Sequence, residues 1–318
     1  MTAETAATFV PQLEPLGREA RAPEHRPAAP LKAEERQALL RREREIAAKY
    51  TGGRMWIYPA FALGGFALWV ALFPLAMYGI IPLWLGFIVS AVLGTGGYVT
   101  SHEAMHSNIA RKGEKYRWLN ELTGQVSTIP LIFPFSMARL MHLQHHYHCN
   151  DPVRDPDYPD EAPTAFKAIV KTWINRQPRS DGSIHHYKRI LAELDSPASR
   201  RAQRDTAILQ LAAMAFFFAM AWSGYALVIA AIWWLPRHVA LSYIRFYLSW
   251  APHHPRDRKG RYENTVVFKS RLGHVLSMGM ESHIVHHLYP SIPNHRTRAA
   301  YREMRDVLAA RGVDVVPL

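Results

Sequence analysis

The sequence predicts an all-α integral membrane protein, with four transmembrane helices in two hairpins and a cytoplasmic helical cap that carries clustered histidines. Two uncharged stretches are the main basis: residues 55–100 and residues 206–236 contain no Asp, Glu, Lys or Arg. About 20 apolar residues cross a bilayer as a helix, whereas a soluble helix needs a polar face. Each stretch is therefore a candidate for a pair of spans.

The segments before the first span are polar. Residues 1–30 contain five prolines and no apolar periodicity, so we expect them to be disordered. Residues 31–54 are dense in Glu and Arg, with spaced Leu and Ile. This pattern predicts a cytoplasmic helix that lies at the membrane surface; a solvated, charged helix fits it equally well.

Residues 55–318 are expected to form a single membrane domain. A segment at 121–138 is apolar but short, and Pro130 and Pro134 interrupt it; it predicts a re-entrant or interfacial segment. Residues 151–205 are polar and basic, hence extramembrane, and residues 297–311 resemble a basic helix. The spans are predicted at about 56–78, 81–98, 206–222 and 225–247.

The last predicted span contains charge. Arg237, His238 and Arg245 lie within it. Such residues are rare against lipid, so either the helix projects out of the bilayer into the polar domain or these side chains face a protein-lined cavity.

Basic residues predict the orientation and exclude one class of function. Ten Lys and Arg precede the first span, and the turns within the hairpins have none. Because Lys and Arg remain on the cytoplasmic side, both termini and the central loop should be cytoplasmic. The net charge of +12 then suits a membrane surface and not nucleic acid. Cys149 is the only cysteine, so the chain forms no internal disulfide.

Three histidine clusters lie just outside the spans, on the predicted cytoplasmic face. Their spacings of three and four place the imidazoles of each cluster on one helix face. Topology thus brings together residues about 180 positions apart in sequence. The eight candidate metal ligands are His102, His106, His142, His145, His146, His283, His286 and His287.

The number and type of ligands indicate the metal. Imidazole suits Zn, Cu, Fe or Ni, but a structural zinc uses four ligands, commonly with Cys. Two redox-active irons with open positions account better for eight histidines, and the chemistry proposed for them is oxidation of a C–H bond with O2. Histidine ligands usually donate their second N–H to a carboxylate or carbonyl. Candidate partners are Glu103, Asp151, Asp155, Asp157 and Glu281, although the aspartates also suit turns.

A membrane zinc metalloprotease is a distant alternative. The segment from His102 to His106 matches the H-E-x-x-H pattern, with Glu103 as the general base. That reading leaves six clustered histidines without a role. Bound metal distinguishes the two classes: two Fe per chain for an oxidase, one Zn for a protease.

The three boxes, H-x3-H, H-x2-H-H and H-x2-H-H, resemble those of the membrane fatty acid desaturase and hydroxylase superfamily, from about Thr100 to Arg296. The resemblance implies a non-haem di-iron centre, O2 as oxidant and two electrons per turnover from an external donor. The second box, A-P-H-H-P at 251–255 and the third box are similar to the bacterial and cyanobacterial β-carotene ring hydroxylases. The first box has three intervening residues, whereas animal acyl-CoA desaturases have four.

Within this family, further residues become candidates for the site. An extra histidine after the last hairpin serves the metal in related desaturases, which makes His253 or His254 a candidate ninth ligand or outer contact; His148 is expected to be an outer contact. Trp233, Trp234 and Phe246 are candidates to line a substrate tunnel, but packing or lipid contact explains them better. We expect surface positions or local hydrogen bonds for His25, His185, His186, His274 and His295.

The expected reaction removes hydrogen from a lipid CH2 to give an alkene, or returns a hydroxyl to give an alcohol. A fatty acid or acyl-lipid desaturase or hydroxylase is the preferred function, and a carotenoid ring hydroxylase is the alternative. The sequence has no c-type haem motif, ferredoxin-like cysteine set or Gly-rich dinucleotide fingerprint. We therefore expect a separate ferredoxin- or cytochrome b5-like donor with its reductase.

Overall fold

The computed structural model describes residues 31–53, 55–177 and 182–318, and all regular elements in these ranges are helical. The expectation of disorder for residues 1–30 lies outside the described residues. The α-helices are α1 Ala33–Tyr50, α2 Ile57–Met77, α3 Leu83–Met105, α4 Arg117–Thr128, α5 Phe135–His148, α6 Ala165–Ile174, α7 Ser183–Leu194, α8 Pro197–Met220, α9 Ala226–Ile229, α10 Leu235–Ile244, α11 Gly273–Leu276, α12 His283–Leu288 and α13 Asn294–Ala310. Short 3-10 turns precede α5 and α12, and π-helical turns flank α9 and follow α10.

Three helical segments in the described residues are long and apolar enough to cross a membrane: α2, α3 and the segment Pro197–Trp250. A bent pair, Arg117–Leu131 with Phe135–His148, adds a fourth candidate. The all-helical membrane fold is therefore confirmed. Helix α3 extends beyond the predicted second span, as far as Met105, and carries His102 in its last turn.

The chain reverses direction within the segment Pro197–Trp250. Gly224 has φ 87°, a left-handed value that interrupts the helix. The ring centroids of Phe217 and Trp233 lie 5.0 Å apart, whereas 16 residues of straight helix would separate them by about 24 Å. The segment is thus two antiparallel arms, in agreement with a turn predicted between residues 222 and 225.

Helices α2, α3 and the second arm share an apolar core. Trp69 of α2 donates through Nε1 to Ser90 Oγ of α3 at 3.1 Å, and Ser90 in turn donates to the carbonyl of Ile232. A Cβ at Gly86 would lie 2.3 Å from Ile232 Cδ1. A larger residue at this position would require the Ile232 side chain to shift.

The bend between α4 and α5 amounts to 97°. Ile132 takes a left-handed φ of 51° between the two prolines predicted to interrupt this segment. The ring of Phe135 lies 2.2–2.4 Å from the position of a Cβ on Gly124, so a larger residue there would clash. This bend returns the chain to the polar side and places the second histidine box on α5.

The polar cap is built around α12 and α13. Ile46 of α1 belongs to the same buried cluster as Ile284 of α12 and Tyr301 of α13. The buried Glu43 carboxylate accepts hydrogen bonds from Tyr262 (2.9 Å) and Tyr289 (2.7 Å). Helix α1 therefore packs on the cap and is not a free, solvated helix.

The charged residues of the last span contact protein. Arg237 Nε donates to the carbonyl of Leu131 at 2.7 Å. Arg245 donates to Asp157 (2.7 Å) and Asp160 (3.0 Å) in the central loop. Both arginines therefore contact protein: Arg237 meets the turn before α5, and Arg245 joins the end of this helix to the central loop. The central loop also contains α6 and α7, which the sequence pattern did not indicate.

Candidate metal centre

One group of imidazoles joins the first, second and third histidine boxes. His102 and His106 lie at the end of α3, His142 lies on α5 and His286 lies on α12. One ring nitrogen from each falls within 4.8 Å of all the others. Nε2 of His106 and Nε2 of His142 are 2.7 Å apart.

A second group of four lies beside the first. It joins His145 of α5 and His283 and His287 of α12 to His253, which follows the last span, again with ring nitrogens within 4.8 Å of one another. His253 was offered by the sequence only as an alternative, yet it is 1 % exposed and its Nε2 lies 3.2 Å from Nε2 of His145.

His146 lies between the two groups. Its Nε2 is 3.1 Å from Nε2 of His142 and 3.0 Å from Nε2 of His286. Its ring stacks on that of His287, with centroids 4.2 Å apart. All eight predicted histidines and His253 are therefore brought together in one cluster.

An outer carboxylate orients one of these rings. His145 Nδ1 lies 2.8 Å from Asp155 Oδ1, which accepts its proton, so Nε2 faces the cluster with its lone pair. Asp155 also accepts from Arg256 Nη1 (3.1 Å) and from the backbone N–H of Asn150 (2.8 Å). Burial raises the pKa of Asp155, but His145 and Arg256 together outweigh burial and hold it below its usual value.

His253 is oriented by the backbone. Its Nδ1 lies 2.9 Å from the carbonyl oxygen of Asn264, which leaves Nε2 toward the cluster. The Sγ of Cys149 lies 3.3 Å from the same Nδ1. Sequence reasoning missed Arg256 and this carbonyl; the one available signal for Arg256 was its position directly after the histidine–proline segment 253–255.

The cluster fits transition-metal binding. Among the described residues, both ring nitrogens of His102 and of His283, and Nε2 of His287, are buried without a hydrogen-bond partner. Such buried polar atoms require an explanation, and an ion is one. Metal–imidazole bonds of about 2.0–2.1 Å place ligand atoms up to about 4.2 Å apart, within the observed spread.

Burial also keeps the ligands in the form that binds metal. It lowers the pKa of His253, His283, His286 and His287 well below the usual histidine value, and the neighbouring histidines lower it further. These imidazoles are therefore neutral near pH 7, and neutral imidazole is the metal ligand.

Other predicted outer contacts lie elsewhere. His254 stacks on Trp250 and meets Glu161 at 3.3 Å, and His148 is half-exposed beside Tyr147. The carboxylate of Asp151 pairs with the Nζ of Lys259 at 2.9 Å, at the surface. Asp157 binds Arg245, and Glu281 accepts from the backbone of Ser270.

Glu103 is held away from the role of a protease base. Its carboxylate accepts from Asn108 Nδ2 and from the backbone N–H of Asn294, both at 2.8 Å. The fixed carboxylate joins the first box to the start of α13, which is a structural role and does not support the metalloprotease alternative.

The three candidate tunnel aromatics pack as expected. Trp233 is buried, with its Nε1 donating to the carbonyl of Pro130 at 2.9 Å. Trp234 is 44 % exposed and touches Phe217, and Phe246 stacks on Trp250.

Comparison with known proteins shows the family. Residues 78–317 match the fatty acid desaturase family, which covers well over half of the chain. The chain therefore belongs to the fatty acid desaturase family and is an oxidoreductase of lipid metabolism. The family uses O2, is generally iron-dependent and acts on lipids, and the candidate spans place this member in a membrane.

Similar proteins act on acyl lipids by name. The sn-1 oleoyl-lipid 12-desaturase of Picosynechococcus sp. is 26 % identical over 82 % of this chain and 78 % of its own length. The omega-6 fatty acid desaturase, chloroplastic, of Spinacia oleracea is 23 % identical over 80 % of this chain and 60 % of its own length. A beta-carotene ketolase from Haematococcus lacustris is 38 % identical, but over 23 % of this chain and 22 % of its own length.

Proposed function

We propose that this protein is an O2-dependent di-iron desaturase of acyl lipids. The observation that carries the proposal is the pairing of two imidazole groups, each with four ligand nitrogens within 4.8 Å. The proposed ligands are the eight histidines of the three boxes together with His253. Two bound irons would supply the reduction of O2 and the removal of hydrogen from an unactivated C–H bond.

The chain's own groups prepare this chemistry. Burial lowers the pKa of His253, His283, His286 and His287, so these imidazoles bind metal without first losing a proton. Asp155 and the carbonyl of Asn264 fix two of the rings by accepting their Nδ1 protons. The fit of the substrate beside the cluster would decide which C–H bond reacts, because small misplacements have large effects on rate.

The proposal includes the membrane arrangement. Residues 55–318 would form one membrane domain with four spans in two hairpins and a re-entrant segment at the bend between α4 and α5. The charge bias supports cytoplasmic termini and a cytoplasmic metal centre. Electrons would come from a separate ferredoxin- or cytochrome b5-like protein with its reductase.

An acyl chain is favoured over a carotenoid as the substrate. Relatives that align with most of this chain are named as acyl-lipid and fatty acid desaturases, whereas the carotenoid enzyme aligns over 73 residues. Ring hydroxylation of a carotenoid is the second candidate, supported by the likeness of the second and third boxes. Expression in a host that accumulates β-carotene, with lipid and pigment profiling by mass spectrometry, separates the two.

Replacing His286 with Ala tests the metal centre. His286 belongs to the first imidazole group and also meets His146. We expect iron to fall from two ions per chain and unsaturated product to disappear, while the protein still enters the membrane. His185→Ala, on the exposed face of α7, is the control and should retain both. Full activity and iron in His286→Ala, or one zinc per chain in the unmodified protein, would refute the proposal.

A further inference from the structure

Helix α6 carries an apolar face that no part of the described protein covers. Its large apolar residues recur at spacings of three and four, which places them on one side of the helix. All are at least 40 % exposed: Phe166, Ile169, Val170, Trp173 and Ile174.

The opposite face fixes α6 to the protein. Ala168 is fully buried and Thr172 is 2 % exposed. Trp250, at the end of the last span, packs with Ala168 and donates through Nε1 to the carbonyl of Ala162 at 2.8 Å. The apolar face therefore points outward in the folded protein, on a helix that is held in place.

The neighbouring helix in the central loop behaves differently. In α7, Ile190 is 4 % and Leu191 is 5 % exposed, and both pack beneath Met137 and Met141 of α5. Of two helices of similar length in one polar loop, α7 thus buries these apolar residues and α6 leaves its large apolar residues exposed. Burial within the protein accounts for α7 and leaves α6 unexplained.

The apolar face of α6 is continuous with the surface of the last span. The ring of Trp173 stacks on His238 of α10 at 5.2 Å, and His238 packs on Trp234 at 4.7 Å. Leu235 and Val239 of the same span are 48 % and 42 % exposed and would face lipid. The surface that meets acyl chains therefore extends from α10 onto α6.

Charge at the border of this face matches lipid headgroups. Lys167 is exposed beside Phe166. Arg176 is held against the protein, because its Nη2 donates to Ser242 at 2.9 Å and its Nε and Nη1 are buried. The exposed charge at this border is therefore that of Lys167, and a tryptophan near an exposed lysine is a composition that favours the boundary between acyl chains and headgroups.

We propose that α6 is a membrane-interface helix, which inserts Phe166, Val170 and Trp173 into the lipid and anchors the central loop to the bilayer. The proposal differs from the sequence-based prediction of residues 151–205 as extramembrane in placing α6 at the membrane interface. The occupant is lipid, and the inference does not depend on the metal centre.

A second, smaller apolar patch lies on another side of the last span. Leu272, Val275 and Leu276 at α11 are 54 %, 84 % and 54 % exposed. Tyr243 donates its hydroxyl to the carbonyl of Leu276. Because Tyr243 lies about 140° around α10 from His238, the cap would touch the membrane on two sides of the last span.

Site-specific fluorescence tests the proposal. The native Cys149 is 5 % exposed, so a cysteine introduced at a surface position carries the label. The two variants are Phe166→Cys on α6 and Lys188→Cys on the exposed side of α7. Each is labelled with an environment-sensitive nitrobenzoxadiazole in nanodiscs of phosphatidylcholine and phosphatidylglycerol, and quenched with aqueous iodide or with a lipid nitroxide placed near the headgroup.

At position 166 we expect blue-shifted emission and several-fold stronger quenching by the lipid nitroxide than by iodide, with the reverse at position 188. Val170→Cys provides a second site if the first variant folds poorly. Equal iodide access at 166, 170 and 188 would overturn the proposal. So would protection of 166 that develops only when an acidic redox protein is added, because the face would then serve a protein partner.

Discussion

At the scale of single residues, buried contacts from Arg256 through Asp155 to His145 determine which nitrogen of the His145 imidazole faces the other histidines of the cluster. Arg256 and Asp155 side chains are fully buried. Because an unpaired buried charge is unfavourable, each of these two side chains depends on the other for its charge to be paired. Arg256 lies outside the cluster, but through Asp155 it controls the tautomer of His145, which lies within it.

Replacing Asp155 with Asn should weaken metal binding about 10- to 100-fold, the range typical of outer partners of histidine ligands. Melting temperature should fall as well, because Arg256 loses its buried counter-ion. Iron retained per chain after dialysis against a chelator measures the first effect.

Asp151→Asn is the matched control for that experiment, since Asp151 pairs with Lys259 on the surface. It should leave both quantities unchanged. Equal resistance of both variants to the chelator would show that Asp155 does not orient the ligand.

How far single residues were predictable follows from local geometry. The eight box histidines were identifiable because spacings of three and four on a helix put side chains together without knowledge of the tertiary structure. His253 has one histidine neighbour in sequence and enters the cluster through a loop, so only the fold places it. Asp155 was one of five candidate hydrogen-bond partners for the histidines. The sequence does not distinguish it from Asp157, because only the tertiary structure shows that Asp157 pairs with Arg245.

At the scale of elements, α1 supports the third histidine box from behind. Ile46 and Ala47 pack in one cluster with Ile284, Val285 and Leu288 of α12. The Glu43 carboxylate accepts a hydrogen bond from the hydroxyl of Tyr289, which lies two residues after His287. This helix lies before the residues that match the family, yet it contacts the element that carries proposed ligands.

Glu43→Gln should destabilise the cap by about 1–3 kcal/mol, the range for an impaired buried hydrogen-bonding group. The amide offers one acceptor oxygen where the carboxylate offers two for Tyr262 and Tyr289. Thermal unfolding in detergent, together with amide hydrogen exchange of residues 284–289, measures the effect.

Glu45→Gln changes the same side-chain type on the exposed side of α1, where Glu45 is 64 % exposed and 3.6 Å from Arg42. It should alter neither measurement. Unchanged exchange in Glu43→Gln would contradict the supporting role of α1.

Helices were predictable from the sequence where a single environment, the lipid interior, surrounds most of their length. The uncharged stretches predicted α2 and both arms of the second hairpin, because lipid demands apolar side chains along the whole helix. The helices extend beyond the predicted spans at their polar ends: α3 continues as far as Met105 and α8 begins at Pro197. Helix α6 was missed because its alternation of lysine and apolar residues suits neither water nor the bilayer interior.

At the scale of the whole molecule, charge is distributed unequally. The chain has a net charge of +12 and no Asp, Glu, Lys or Arg over residues 55–100. Its basic residues therefore concentrate on the polar segments. In the loop after His253, side chains of Arg258, Lys259 and Arg261 are 39 %, 58 % and 56 % exposed.

An acidic electron donor should consequently reduce the enzyme in a manner that depends on ionic strength. We expect the second-order rate of reduction to fall roughly tenfold between low salt and 0.5 M salt (about the range over which steering is screened). Stopped-flow absorbance of the donor measures this rate. Product formation by enzyme already reduced chemically is the control and should not change with salt, whereas a salt-independent donor reaction would argue against charge-guided docking.

The position of Cys149 has a practical consequence. The chain's single thiol is buried against His253, and burial raises its pKa. The thiolate is the form that attacks an alkylating reagent, so the reaction must wait until α5 and the loop carrying His253 separate. The rate of alkylation of Cys149 then measures how often the cluster opens. This rate should fall when a bound metal links those two segments.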